Sequence, residues 1–235
     1  MDFRARLLKT LRAIEPVLAE PGVLVIGSEV PNLLERGAVS TLVVSEDVDI
    51  GVPVASHKGV KKRLRAVEGL RSSKEEPSVW LPDDPSLIEV NFVGMDPAIS
   101  DASQTYVLED EELPLLVFGY LSFMRPGTPI EVEGLVVPVP RKAGLLLEKL
   151  VTDRSGVKGD RDLLVVLGLM LVADASDLDE LAEEYRKLSS ELRHSVRTNL
   201  TLLSLIGPIE GMPDPAANRD KVIELLRRLE RETDG

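Results

Sequence analysis

The stretch Ser45-Glu46-Asp47-Val48-Asp49-Ile50 decides how this chain is interpreted, because it places two aspartates two positions apart in a β-forming run. Segments rich in β-forming residues lie on either side of Ser45-Glu46-Asp47, at residues 41–44 and 48–52. The side chains of a strand alternate between its two faces, so Asp47 and Asp49 are predicted to project from the same face. Two carboxylates placed in this way can share a cation.

A second predicted strand, residues 87–93, carries another acid. It is bounded by Pro85 and Gly94, and the same period of two puts Glu89 and Asn91 on one face. If the two strands are neighbours, Glu89 completes a cluster of three carboxylates with the aspartates. Three such groups repel one another unless a hard divalent ion lies among them, and oxygen ligands favour Mg²⁺ or Mn²⁺.

Upstream of the aspartates, the sequence has the pattern of a strand, a tight turn and a helix. A short apolar run at residues 23–26 ends at Gly27, Ser28 stands where a helix would begin, and Pro31 fits a first helical turn. Backbone N–H groups and a hydroxyl at a helix amino terminus form an anion site. We therefore expect phosphate to bind at Gly27 and Ser28.

The rest of the chain predicts an α/β (α+β) fold. An amphipathic helix is predicted at residues 3–18, and a strand pair joined near Gly134 at residues 130–132 and 135–139. Helical periodicity follows, at residues 143–151, 161–173, 178–205 and 221–229. We predict an α/β domain over residues 1–138, with a mixed sheet and flanking helices, and a helical bundle over residues 139–235.

Composition limits the classes of function. The 28 Lys and Arg residues against 40 Asp and Glu residues give a formal net charge of −12, which argues against a protein that coats nucleic acid over its whole surface. The lack of cysteine excludes a thiolate nucleophile and a zinc finger. Apolar runs stop short of a membrane span and the first residues lack a secretory signal, so we expect a cytoplasmic protein with no membrane partner.

The strongest basic cluster of the sequence lies within residues 57–74. Its members Lys61, Lys62, Arg63 and Arg65 are candidates for contact with an anionic acceptor such as RNA. The solvated face of a helix would carry the same charges, and the sequence leaves both interpretations open.

Taken together, these motifs resemble the DNA polymerase β-like nucleotidyltransferase superfamily. Its pattern is a strand ending in Gly-Ser or Gly-Gly, a helix, Asp-x-Asp on the next strand and a carboxylate on a later strand. The matching segments are Val25-Ile26-Gly27-Ser28, Ser45 to Ile50, and Leu87-Ile88-Glu89-Val90. Glu29 departs from this pattern, since a small or hydroxylated residue is commoner there, and Glu89 stands where Asp is commoner.

A later region extends the resemblance to about residues 22–170. Residues 149–154, Lys158 and the segment 161–164 are similar to the helical region of AbiEii-type toxins and related stand-alone nucleotidyltransferases. The resemblance implies transfer of a nucleoside monophosphate from a nucleoside triphosphate to an acceptor hydroxyl, with Mg²⁺ or Mn²⁺ as cofactor. It implies that Asp47, Asp49 and Glu89 hold the metal, and that the nucleotide is bound by Gly27, Ser28, Ser45, Lys149 and Lys158.

Several alternatives stay open at this stage. The acceptor could be an RNA such as tRNA, which the basic cluster favours, or a protein hydroxyl, or a small molecule such as an aminoglycoside. The toxin resemblance also suggests an antitoxin protein as partner. A rival hypothesis is a non-catalytic binding module that keeps the fold. The P-loop and dinucleotide-binding motifs lack their defining residues in this chain.

Overall fold

The computed structural model describes residues 3–34, 47–152, 156–209 and 213–231. These residues fall into two compact units, of which the first contains residues 3–33 and 47–140 and the second contains the chain from Arg141 onward. The strand predicted at residues 41–44 lies outside the described residues. The domain division drawn from the sequence stays a prediction.

Two helices open the first unit where a single helix over residues 3–18 was predicted. They are α1 (Phe3–Ala13) and α2 (Glu15–Leu18). Pro16 lies in the first turn of α2, and because proline has no N–H to donate, it ends one helix and starts the next. The apolar positions that predicted the helix are buried, as shown by Phe3, Leu7, Leu11 and Ile14.

The core of the first unit is a mixed sheet. Its strands are β1 (Leu24–Val25), β2 (Asp47–Pro53), β3 (Leu70–Ser72), β4 (Val79–Pro82), β5 (Glu89–Met95), β6 (Thr105–Leu108) and β7 (Leu115–Phe118). The strand order is β1-β2-β5-β4-β3, and β7 pairs with both β5 and β6. The β2–β5 and β5–β7 pairs are parallel and the other pairs are antiparallel. The predicted mixed sheet is confirmed.

The parallel β2–β5 pair is the centre of this sheet. Its register runs from Asp47 opposite Glu89 to Pro53 opposite Met95. Helix α1 anchors the entry to β5, because Arg6 donates to the carbonyl of Leu87 and the Ile88 N–H donates to Thr10 Oγ1. After β2, a 3₁₀ turn (Val54–Ser56) leads into α4 (His57–Leu64), and the short helix α3 (Val30–Leu34) follows β1.

A small hairpin completes the first unit. Strands β8 (Ile130–Val132) and β9 (Leu135–Val137) are antiparallel, which confirms the predicted strand pair. The turn residues Glu133 and Gly134 have φ values of 49° and 78°. Positive φ at both turn residues is the geometry of the type I′ turn, which matches the twist of the two strands.

The second unit is helical. It contains α5 (Lys142–Val151), α6 (Gly156–Val172), α7 (Ala175–Lys187), α8 (Ser190–Leu205) and α9 (Arg219–Arg231). The prediction of one helix over residues 178–205 is wrong. The helix breaks at Leu188 and Ser189, where the Ser189 side chain accepts a hydrogen bond from the Leu192 N–H and caps α8.

Within the described residues, every helix is too short or too polar to cross a membrane.

Candidate active site

The two aspartates of β2 project from the same face of the sheet. Val48, Ile50 and Val52 are fully buried, while Asp47 and Asp49 are only partly so. The alternation that buries the valines and the isoleucine therefore fixes the direction of the aspartates. The prediction that Asp47 and Asp49 share one strand face agrees with this register.

The Asn91 amide links the two carboxylates. Asn91 lies directly opposite Asp49 in the parallel register. Its Nδ2 donates to Asp47 Oδ2 at 2.9 Å and, by a longer bond, to Asp49 Oδ1 at 3.4 Å. Because β2 and β5 are adjacent, Asn91 contacts Asp47 and Asp49, which precede it in the sequence by 44 and 42 positions.

The third predicted carboxylate, Glu89, lies opposite Asp47 in the same register. Among the residues that the structure describes, no three His, Cys, Asp or Glu side chains are grouped closely enough to hold a metal ion. The role of Glu89 as a third metal ligand stays a prediction.

The turn after β1 brings a further acid to the aspartates. The Ile26 N–H donates to the carbonyl of Asp49 at 3.0 Å, which fastens the turn to β2. A Cβ at residue 27 would clash with Glu29 Oε2 and lie 3.1 Å from Asp49 Oδ2. A larger residue at this position would therefore displace the Glu29 carboxyl, whereas glycine lets it lie beside Asp49.

The Glu29 carboxyl is almost completely buried, with 1% of the residue exposed. Ser28 Oγ donates to its Oε1 at 2.9 Å, whereas Oε2 is buried without a hydrogen-bond partner among the described residues. Burial, followed by the negative charge of Asp49, raises the pKa of Glu29 from 4.5 to about 8. At neutral pH this carboxyl is therefore mostly protonated.

The donors at this site suit a hard divalent cation. Asp47 and Asp49 supply carboxylate oxygens, whereas the Glu29 carboxyl beside them is mostly protonated at neutral pH. Mg²⁺ and Mn²⁺ prefer oxygen ligands of this kind. The Asp47 and Asp49 carboxylates therefore fit the predicted cofactor by the chemistry of their donor atoms, and its binding stays a prediction.

Three of the four predicted acceptor-binding residues form ion pairs with acids of the same unit. Lys61 pairs with Asp110 at 2.7 Å, Arg63 with Glu20 at 2.8 Å, and Arg65 with Glu112 at 3.0 Å. The hydrogen bond from Lys61 lowers the pKa of Asp110 to about 2. The fourth residue, Lys62, forms no ion pair with any acid in the described parts of the chain.

The remaining nucleotide-binding candidates lie elsewhere. Lys149 is on α5 in the second unit, mostly buried, with an ion pair to Glu148 at 3.2 Å. Lys158 belongs to α6, and its side chain lies outside the described part of the structure. Ser45 falls outside the described residues altogether. Their roles toward a nucleotide stay predictions.

Two residues of this site were not identified as functional candidates from the sequence. The sequence places Asn91 only on one strand face with Glu89, and Glu29 stands out only as a departure from the motif. The signal for Asn91 was present, since its period of two matches that of the aspartates. Nothing local in the sequence showed that Glu29 would be buried, because its burial depends on the contact between the turn and β2.

Comparison with known proteins gives distant similarities. No protein-family profile matches the chain. One subunit of the aspartyl/glutamyl-tRNA(Asn/Gln) amidotransferase of Methanococcus vannielii is 26% identical over 182 residues, which cover 72% of this chain and 38% of that relative. The chain thus spans well under half of the relative's length. The crystal structure of JHP933 from Helicobacter pylori aligns with a TM-score of 0.36 and 16% identity, over 97% of this chain and 90% of that chain.

Proposed function

We propose that this protein is a metal-dependent nucleotidyltransferase, which moves a nucleoside monophosphate from a nucleoside triphosphate to an acceptor hydroxyl. The observation that supports this most directly is the pair of carboxylates of Asp47 and Asp49 on one face of β2, joined by the Asn91 amide. Paired carboxylates beside a Gly-Ser turn combine a place for a cation with a place for phosphate.

The proposed reaction is an in-line displacement. The acceptor oxygen forms a bond to the α-phosphorus as its hydroxyl proton passes to solvent water. The bond from that phosphorus to the oxygen bridging it to the β-phosphate breaks, and pyrophosphate leaves with the electron pair. Bound Mg²⁺ or Mn²⁺ would supply neutralisation of the phosphate charge and activation of the hydroxyl. Asp47 and Asp49 would hold these ions, with Glu89 as the predicted third ligand.

The turn at Gly27 and Ser28 is proposed to receive the β- and γ-phosphates. Ser28 Oγ donates to Glu29 Oε1 in the present structure, so the hydroxyl must turn away from Glu29 to donate to a phosphate oxygen. Lys149 is proposed to neutralise charge on the leaving pyrophosphate, and Ser45 and Lys158 to contact the nucleotide.

Among acceptors, the proposal favours an RNA such as tRNA. Two observations support this choice: the basic residues around Lys62, and similarity to a protein whose name refers to aspartyl- and glutamyl-tRNA. A small molecule of the aminoglycoside kind is the alternative acceptor. A cytoplasmic location, action as a toxin and control by an antitoxin protein belong to the same proposal.

A labelling assay tests the reaction. We expect the purified protein, given Mg²⁺, radiolabelled nucleoside triphosphates and total RNA, to label an RNA species. Asp49→Asn removes one carboxylate charge from the site at nearly constant volume and is expected to lower labelling by more than about 100-fold. Asp83→Asn is the matched control, since Asp83 is exposed on the surface and pairs with Arg71.

The outcomes separate the alternatives. Labelling of aminoglycosides but not of RNA would show that the acceptor is a small molecule and would refute RNA as the acceptor. Metal-dependent binding of triphosphate with no labelled product in RNA, protein or small-molecule pools would support the non-catalytic module. No labelling and no metal-dependent binding would refute the proposal.

A further inference from the structure

We infer that Asn91 is a positioning residue, which holds the Asp47 and Asp49 carboxylates at a fixed separation before a cation binds. This inference rests on the proposed function and adds a residue outside the predicted set. Its basis is the single amide nitrogen that donates to both carboxylates, at 2.9 Å to Asp47 Oδ2 and 3.4 Å to Asp49 Oδ1.

The orientation of the amide is dictated by the aspartates. An amide oxygen turned toward two carboxylates would be repelled, so the nitrogen must face them. As a result, Asn91 Oδ1 is buried with no hydrogen-bond partner in the described parts of the chain. Buried polar atoms are usually paired, and this one is left unsatisfied so that both N–H groups can serve the aspartates.

The charge of the side chain also fits a positioning role. Two carboxylates two residues apart on one strand face repel each other. A neutral donor between them offsets that repulsion without adding a third negative charge, which Asp at the same place would add. The backbone hydrogen bonds between β2 and β5 hold Asn91 opposite Asp49. The distance at which Asn91 holds the two carboxylates apart therefore follows from the pairing of the strands.

Cation binding without nucleotide tests the inference. We expect Asp49→Asn to abolish the binding of Mn²⁺ to the full-length protein, measured by isothermal titration calorimetry. Asn91→Leu keeps a similar volume but removes both hydrogen bonds, and is expected to raise the Kd for Mn²⁺ by about 10–100-fold, as is usual when an outer partner of a metal ligand is lost.

Asn199→Leu is the matched control. Asn199 is a buried asparagine of α8 whose Nδ2 donates two hydrogen bonds, at 2.8 Å to the Leu150 carbonyl and 3.0 Å to the Thr152 carbonyl. Loss of these two hydrogen bonds in Asn199→Leu is expected to lower thermal stability while leaving the Kd for Mn²⁺ unchanged. A weaker affinity in both leucine variants would show a general effect of destabilisation and would overturn the positioning role.

A second variant keeps the test valid if Asn91→Leu does not fold. Asn91→Asp has the same size but replaces the donor with a third carboxylate. We expect its melting temperature to lie below that of the wild type without Mn²⁺ and to rise by more than that of the wild type at saturating Mn²⁺. An equal Mn²⁺-induced rise in the two proteins would overturn the inference.

The proposed function and the positioning role can fail separately. If the wild type and Asp49→Asn bind Mn²⁺ equally or not at all, the proposed metal-dependent function fails, and the positioning role fails with it. If Asp49→Asn abolishes binding but Asn91→Leu binds Mn²⁺ like the wild type, only the positioning role is refuted.

Discussion

Glu29 is the residue whose chemistry departs furthest from what its type suggests. It carries a carboxyl group that burial beside Asp49 keeps mostly protonated at neutral pH, with a pKa of about 8. In the unfolded chain the same group has a pKa near 4.5. The folded protein therefore binds a proton that the unfolded chain has released across the window from pH 4.5 to about 8.

This difference predicts a pH dependence of stability. The contribution of Glu29 to the free energy of unfolding is fully present below pH 4.5 and is lost as the pH rises toward 8, at a rate of at most about 1.4 kcal/mol per pH unit. Glu29→Gln removes the titration, so its stability relative to the wild type should increase with pH across this window. Urea denaturation in EDTA at several pH values measures the difference.

Glu75→Gln serves as the control, because Glu75 is exposed and reports the effect of a carboxyl-to-amide change at the surface. A Glu29→Gln difference that stays constant from about pH 5 to 8 would show that Glu29 is not protonated in the folded protein.

At the scale of single residues, the sequence predicted the shared face of Asp47 and Asp49, since a period of two is local. Burial at Glu29 requires the turn to meet β2, which no local pattern encodes.

At the scale of elements, Gly94 permits β5 to lie against β7. A Cβ at this position would clash with Val117 Cγ2 and lie 3.4 Å from Leu115 Cβ, and Gly94 is the residue of β5 that pairs with Val117. We expect Gly94→Ala to lower the free energy of unfolding by about 1–3 kcal/mol, as overpacking of a core usually does. Urea denaturation measures this loss.

Two further variants separate overpacking from other effects of the added methyl group. Gly207→Ala is the matched control, because a Cβ at Gly207 meets nothing within 4 Å. Val117→Ala removes the clashing methyl groups, so the double variant should lose less stability than the two single variants together. Strict additivity of the two losses would contradict the proposed contact.

The central strands β2 and β5 were predictable, and the short strands β3, β4 and β6 were not. Residues 47–53 and 89–95 alternate buried and less buried side chains, which is the pattern that the sequence shows. By contrast, β3, β4 and β6 have three or four residues and half-exposed faces, so their alternation is too short to detect. The helical periodicity of the sequence likewise continues past Ser189, so it does not reveal the break between α7 and α8. Ser189 caps α8 by accepting a hydrogen bond from the Leu192 N–H.

At the scale of the whole molecule, charge limits how an anionic acceptor can bind. The chain has a net charge of −12, and Lys61, Arg63 and Arg65 are already paired with acids of their own unit. A polyanion must break these ion pairs or contact cations that form none with a described residue, such as Lys62. Long-range attraction of RNA is therefore expected to be weak. In the folded protein, the acids paired with the basic cluster offset much of the positive charge that the sequence shows there.

These ion pairs predict a shallow salt dependence of RNA binding. Each phosphate that a protein neutralises on single-stranded nucleic acid contributes about −0.7 to the slope of log K against log salt concentration. Lys62 is the cation of the predicted set that forms no ion pair with a described residue, so we expect a slope of about −0.7, and no steeper than about −1.5, between roughly 50 and 200 mM salt. Fluorescence anisotropy with labelled tRNA measures the slope. We expect Lys62→Ala to make the slope less negative by about 0.7, the contribution of one phosphate, and Arg65→Ala to change it less. A slope near about −5 would mean that the ion pairs of the cluster open on binding, and that RNA contacts the cluster as a whole.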